Sequence, residues 1–203
     1  MMKNNYDKLQ QLQIKNEVIT KSTKPKLLMH ACCAPCSTAC LERVAEYFDI
    51  TVYYFNPNIT DETEYYKRQT ELENFLNCRY GNEIKLISEK FDSDTFYKAI
   101  KGRENDLEGG SRCKICYTLR LAKTALTAKE LGYDYFTTTL SVSPHKNAEW
   151  LNEIGVIEGA KIGVNYLYAD FKKQGGYLRS IELSKEFNLY RQDYCGCEFS
   201  KTK

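Results

Sequence analysis

The sequence predicts an α/β fold: a Rossmann-like parallel sheet of about five strands flanked by helices. Three observations predict it. Short β-rich runs alternate along the chain with stretches whose apolar residues recur at helical spacing. The first run, Leu27-Leu28-Met29-His30-Ala31, is apolar throughout, as in a strand buried on both faces. The chain has 203 residues, 42% of them apolar, which suits one compact domain or a domain with a short appendage.

Residues Met1 to Lys24 are polar and rich in Lys, Asn and Gln, and Leu9, Leu12 and Ile14 support at most a short peripheral helix. Residues 1–24 are therefore read as an N-terminal extension and 25–203 as a single α/β domain, with Lys24-Pro25-Lys26 as the punctuation. After the first strand, Leu41, Val44, Ala45, Tyr47 and Phe48 mark a helix. Residues 49–55 form a second strand ending at Asn56-Pro57-Asn58. Asp61 caps a helix carrying Tyr65, Leu72, Phe75 and Leu76. Ile84 to Ile87 is a third strand and Asp92 to Ile100 a short helix. Gly109-Gly110-Ser111 breaks the chain before a long helix from about Cys113 to Leu131, stopped by Gly132. A fourth strand spans 135–140, a helix 146–160, an extended segment 164–169 and a last helix 177–187. Ligands of such sheets gather at the C-terminal strand ends, which places Cys32 and Cys33, Asn56 and Asn58, and Ser141 to His145 along one edge.

With 29 basic and 27 acidic side chains, the net charge of +2 excludes a polybasic binder but leaves room for a local basic patch. No apolar run approaches the roughly 20 residues of a membrane helix, and the start of the chain lacks the apolar stretch of a secretory signal. A cytoplasmic protein without a membrane partner is expected. The 16 tyrosines serve strand packing in the main, with stacking on bases as the alternative use.

Nine cysteines are the outlier. A disulfide scaffold belongs to small secreted domains, which this chain does not resemble; in a reducing compartment clustered thiols bind metal or do redox work. Seven fall in three groups. Cys32, Cys33 and Cys36 lie where the first strand meets a helix N-terminus, a setting that favours thiolate. Cys113 and Cys116 share one helical face, with Arg112 and Lys114 on either side of Cys113 to offset thiolate charge. Cys195 and Cys197 flank Gly196, which permits a tight bend. Cys40 and Cys78 have no such neighbours and are expected to be small buried hydrophobes. Seven thiols exceed the four of a structural zinc or a cubane cluster, so three remain for a second metal with an open position; a redox-active pair is the alternative.

These residues, taken together, resemble the QueH-type epoxyqueuosine reductases. The resemblance rests on His30-Ala31-Cys32-Cys33-Ala34-Pro35-Cys36-Ser37, Tyr54-Phe55-Asn56-Pro57-Asn58-Ile59 and Glu64-Tyr65-Tyr66-Lys67-Arg68, then on Glu108-Gly109-Gly110-Ser111-Arg112-Cys113-Lys114-Ile115-Cys116-Tyr117, Thr139-Leu140-Ser141-Val142-Ser143-Pro144-His145-Lys146 and Tyr194-Cys195-Gly196-Cys197. It covers about Lys24 to the C-terminus. It implies a cobalamin-independent oxidoreductase of tRNA queuosine biosynthesis that removes the epoxide oxygen of epoxyqueuosine. The substrate would be tRNA with a GUN anticodon, and an external electron donor would be needed. Leaving an alkene takes two electrons and two protons, which no side chain supplies, so a redox cofactor is required. The assignment expected here puts a [4Fe-4S] cluster on Cys32, Cys33, Cys113 and Cys116, and a second, mononuclear iron on Cys36, Cys195 and Cys197. His145 is the candidate proton donor. Asn56, Asn58, Arg68 and Ser143 are candidate substrate contacts. Arg112, Lys114, Arg120, Lys146, Lys172, Lys173, Arg179 and Arg191 form a candidate phosphate-tracking rim, and Tyr65, Tyr117 and Tyr177 are candidates for stacking. His30 reads as a core histidine, with orientation of the thiols as the alternative.

Three other readings compete. An ATP-using thiolation or adenylation enzyme needs a Gly-rich loop after the first strand, where this chain has Cys32 to Ser37 without glycine. A radical enzyme using S-adenosylmethionine needs a cysteine where Ala39 stands. A zinc-stabilised nucleic-acid-binding or thiol redox module would bind zinc and be colourless.

Overall fold

The computed structural model describes residues 4–201. Helix α1 (Tyr6–Gln13) runs into a wider π-helical turn, Ile14–Val18. Then follow β1 (Lys26–His30), α2 (Ala34–Val44), β2 (Asp49–Tyr54), α3 (Glu62–Tyr80), β3 (Lys85–Ser88), α4 (Ser93–Ala99) and α5 (Ser111–Glu130). The chain closes with β4 (Tyr135–Thr138), a 3-10 turn at Thr139–Val142, α6 (Ala148–Ile162), β5 (Asn165–Tyr166) and α7 (Gly176–Glu186).

The sheet has five strands in the order β3-β2-β1-β4-β5, and every pairing is parallel. From β1 the chain winds outward through β2 and β3, then returns to the other side of β1 at β4. The point of reversal, between β1 and β4, is where such sheets leave a crevice at the C-terminal strand ends. Period-two alternation divides β1 between two cores: Leu27 and Met29 join Leu41, Val44 and Phe75 in one layer, and Leu28 joins Leu121, Phe136 and Leu151 in the other. Side-chain caps begin α3 and α6 and a glycine ends α6, the Asp61 cap as expected from the sequence. Asp61 accepts from the Glu64 amide, Asn147 accepts from the Trp150 amide, and Gly163 ends α6 in the left-handed region.

The N-terminal stretch differs from the expectation of a peripheral appendage. Tyr6, Ile14 and Val18 are buried. Gln10 Nε2 donates to the Tyr168 carbonyl at 2.7 Å, and Gln13 both donates to Tyr166 O and accepts from the Tyr168 amide. Two glutamines thus satisfy backbone beside β5 at the sheet edge, where unpaired groups would otherwise remain. A polar composition concealed a structural helix. Of the two isolated cysteines, Cys40 is buried as expected, but Cys78 is exposed on α3, so it is not a core residue.

Helix α6 lies close against β4 and β5 because it presents glycine there. A Cβ at Gly155 would come 2.3 Å from the Tyr166 ring, itself packed edge-on against Phe136 with centroids 5.1 Å apart. Helix propensity alone favours Gly155→Ala by about 1 kcal/mol. Overpacking against a buried ring costs about 1–3 kcal/mol and should win. We expect G155A to lower the urea midpoint; a raised midpoint would show that the interface can yield.

Candidate metal centre

Strand β1 delivers His30 to the sheet edge, and the chain then turns sharply. The Ala31 carbonyl accepts from Asn56 Nδ2 at 2.9 Å, which locks the turn to the end of β2. Cys33 is the extended N-cap residue of α2, and Pro35 sits in its first turn, where the absent N–H costs nothing. The Sγ atoms of Cys32, Cys33 and Cys36 all lie within 4.8 Å of one another, with Cys32 and Cys33 at 3.7 Å. Gln192 reaches in from the C-terminal segment and donates to Cys33 Sγ at 2.8 Å.

The triad shares its protons unevenly. Hydrogen bonds from the Cys33 and Cys36 thiols hold Cys32 well below the usual thiol range, aided by the Arg120 charge. Donating those bonds pushes Cys33 and Cys36 up. Beneath them His30 is fully buried, which lowers its pKa to about 4 and keeps the ring neutral. Its Nε2 faces the Phe55 carbonyl, which can only accept, so Nε2 carries the hydrogen and Nδ1 accepts from Thr138 Oγ1 at 2.9 Å. His30 is a core histidine that ties β1, β2 and β4 together directly under the thiols.

Helix α5 supplies a second set. Cys113, Cys116, Tyr117 and Arg120 fall at positions i, i+3, i+4 and i+7, so one helical face carries them all. That face meets Cys195 and Cys197, and the four thiols line a small cavity of about 20 Å³ with Arg120 and Lys146. Lys146 Nζ donates to Cys195 Sγ at 3.1 Å and pairs with Glu108 at 3.3 Å. Gly196 makes the bend possible: its φ is +95°, and a Cβ there would sit 2.7 Å from Ile59 Cγ1. Asn58 Nδ2 holds the Cys195 carbonyl at 3.2 Å, and the Thr60 amide holds that of Gly196. Burial pushes Cys116 up to about 11 and Cys197 up to about 12, so without metal these two stay protonated at neutral pH.

The structure places the thiols in two neighbouring sets. Cys36 joins Cys32 and Cys33, while Cys113 and Cys116 sit with Cys195 and Cys197. The physical reason is α2: Cys33 and Cys36 are separated by one turn of the same helix N-terminus, whereas the α5 pair faces the C-terminal bend. A cleft of about 440 Å³ adjoins both sets, and Cys32, Cys36, Arg120, Lys146 and Cys195 all reach its wall.

The other candidates divide. Arg68, Ser143, His145, Lys146, Tyr177 and Arg191 line this cleft. Lys172 and Lys173 line an adjoining groove that shares the His145 wall. Asn56 and Asn58 are buried and used on backbone. Tyr65 is also buried, its hydroxyl on Glu89 O, so it offers no exposed stacking face. Tyr117 is buried against the small thiol cavity. Arg112 is buried and holds the carbonyls of Glu104 and Asp106, closing the loop before α5. Arg179 forks onto Glu42, and Lys114 extends over the Trp150 ring. Arg120 is only 1% exposed and so is not a rim residue. Its spacing from Cys113 and Cys116 could have placed it with the thiols. Nothing local in the sequence could have singled out Gln192.

Fold and site together define a Rossmann-like α/β domain with a thiol-lined candidate metal centre at its strand-order switch. The family model that matches it, over residues 27–203, is described as epoxyqueuosine reductase QueH. The chain belongs to this family. It is 41% identical over 199 residues to the epoxyqueuosine reductase QueH of Streptococcus pyogenes serotype M1, covering 97% of this chain and 78% of that protein. It is 38% identical over 179 residues to that of Thermotoga maritima, covering 86% of this chain and 89% of the relative. Among solved structures, the U34-tRNA thiolase NcsA from Methanococcus maripaludis with its [4Fe-4S] cluster shares the fold, at TM-score 0.57 and 13% identity over 97% of this chain and 69% of that one.

Two predictions follow from the protonation pattern. In the metal-free protein at pH 7, iodoacetamide should label Cys32 well before buried Cys40, whose thiol burial pushes far up; peptide mass spectrometry reads the order, and equal rates would contradict a shared thiolate. The unfolded chain binds a proton at His30 with the ordinary pKa of 6.5, but the folded chain does so only near about 4. Metal-free stability should therefore fall as the pH drops through that window, by up to about 3 kcal/mol. Urea midpoints of His30→Gln should fall less steeply there than those of the wild type.

Proposed function

We propose that this chain is a cobalamin-independent epoxyqueuosine reductase acting on tRNA, and that a [4Fe-4S] cluster on Cys32, Cys33 and Cys36 is its redox group. The observation that carries this reading is the convergence of three thiols, two of which, Cys32 and Cys36, reach the wall of a cleft also lined by His145 and Arg191. The residues present fit such a group. Three thiols of one helix N-terminus converge, one already biased to thiolate, and the buried Arg120 guanidinium has both terminal nitrogens without a partner. A buried cation with no partner is costly unless an anion answers it. Only Cys32, Cys33 and Cys36 bring three ligand atoms within 4.8 Å of one another among the described residues; Cys113, Cys116, Cys195 and Cys197 line one small cavity, and a second metal, iron on this reading, would be held there, displacing the protons of Cys116 and Cys197.

When bound, the cluster supplies electrons one at a time, drawn from an external one-electron donor. The net change is balanced: the epoxide gains two electrons and two protons, both C–O bonds break, an alkene forms and water leaves. The chain's residues do the rest. Arg191 presents a cation to the phosphates that flank the modified base, while Arg68, buried and paired with Glu64 at 2.7 Å, holds the C-terminal segment through the Tyr194 carbonyl. Tyr177 offers a ring for stacking within the cleft. His145, exposed on the wall between cleft and groove, delivers a proton from a ring nitrogen to the departing oxygen. Lys172 and Lys173 extend the positive surface along the groove.

The test is anaerobic reconstitution with iron and sulfide, then incubation with epoxyqueuosine-containing tRNA and a chemical reductant, without cobalamin. Mass spectrometry of digested nucleosides should show loss of one oxygen, and Cys36→Ala should reduce this to background. Full turnover of the metal-free protein, or a colourless zinc-only protein with no turnover after reconstitution, would contradict the reading.

A further inference from the structure

Arg120 carries a buried charge that no carboxylate answers and that helps hold Cys32 low. It sits on α5, one turn beyond Cys116, and is almost fully buried. Its Nε makes one long bond, 3.4 Å, to the Cys116 carbonyl of its own helix. Both terminal nitrogens lack any hydrogen-bond partner. The guanidinium borders the cleft that Cys32 and Cys36 reach and also the cavity lined by Cys113, Cys116, Cys195 and Cys197. Burial works against its charge, and the sulfurs of Cys116, Cys195 and Cys32 more than offset that. No carboxylate approaches it within ion-pair distance among the described residues.

We propose that Arg120 is the shared counter-ion of the two thiol sets and sets the reduction potential of the cluster on Cys32, Cys33 and Cys36, so acting as a positioning residue for charge rather than a contact to substrate. The proposal rests on the cluster assignment made above. One-electron reduction of a thiolate-ligated cluster adds one negative charge and moves no proton. A permanent positive charge in a water-poor site stabilises the reduced state more than the oxidised one, so it raises the potential. Arginine suits this use because it stays charged when buried, where a lysine in apolar surroundings readily gives up its proton. The guanidinium contributes almost no hydrogen bonding to the metal-free fold, so removing it should leave that fold intact. Its charge weighs most when both thiol sets are anionic, as they would be with metal bound.

The experiment compares wild type, Arg120→Lys and Arg120→Met. Each is purified metal-free, unfolded in urea, and then reconstituted anaerobically with iron and sulfide. Iron and sulfide are counted, and the cluster is titrated with dithionite against redox dyes while visible absorbance is followed. We expect R120M to fold at least as well as wild type without metal, and its cluster to be at least tenfold harder to reduce, a shift of about 59 mV to more negative potential. R120K should fall between the two. A metal-free R120M that fails to fold would overturn the proposal, because it would make Arg120 a structural residue. So would an R120M cluster with the wild-type potential, including a variant in which only the KM for tRNA rises. A wild-type protein that takes up no cluster would instead refute the underlying assignment, which separates the two failures.

Discussion

Anionic sulfur can be kept away from water only if positive charge and hydrogen-bond donors come with it, and most of what is distinctive in this structure answers that constraint. The answer is distributed. Thiols of Cys33 and Cys36 donate to Cys32, Gln192 donates to Cys33, Lys146 donates to Cys195, and Gly109 gives its amide to Cys113. Arg120 stands between the two sets with its terminal nitrogens uncommitted. These donors come from α2, the loop before α5, α5 itself, the loop before α6 and the C-terminal segment. The sheet is the frame that brings five remote stretches of chain to one edge.

The C-terminal segment shows how far that frame is used. Beyond α7 it has little regular structure, yet it is tied down repeatedly: Tyr190 to Glu71, Gln192 to Cys33, Tyr194 to Arg68, Cys195 to Asn58, and Tyr97 to Glu198. It closes one side of the cleft and carries two of the seven clustered thiols. Asn56 and Asn58, which the sequence suggested as substrate contacts, instead hold the two cysteine-bearing turns in place. Loss of either amide would therefore act on thiol placement.

The fold was legible because its signals are periodic and local. A fully apolar β1, helical repeats between strands, and glycine or acidic caps at the expected ends each report on one element at a time. Polar residues that serve the fold were not legible. Gln10 and Gln13 look like solvent-facing positions until the edge of β5 is known to need them. Tyr65 looks like a stacking residue until its hydroxyl is seen on Glu89 O. The thiols were identified singly, but counting ligands could not show that Cys33 and Cys36 ride the same helix end and lie beside Cys32. Arg120 was grouped with surface cations because charge in a sequence carries no depth; only its register with Cys113 and Cys116 hinted at the interior.

The central claim is that Cys32, Cys33 and Cys36 form one metal site and the remaining four clustered thiols another. The most direct measurement is electron paramagnetic resonance of dithionite-reduced, reconstituted protein with Cys113, Cys116, Cys195 and Cys197 all replaced by serine, beside protein with Cys32, Cys33 and Cys36 replaced by serine. The account predicts a reduced [4Fe-4S] signal in the first and none in the second. A signal that survives loss of the triad, or that vanishes only with the other four, would contradict it.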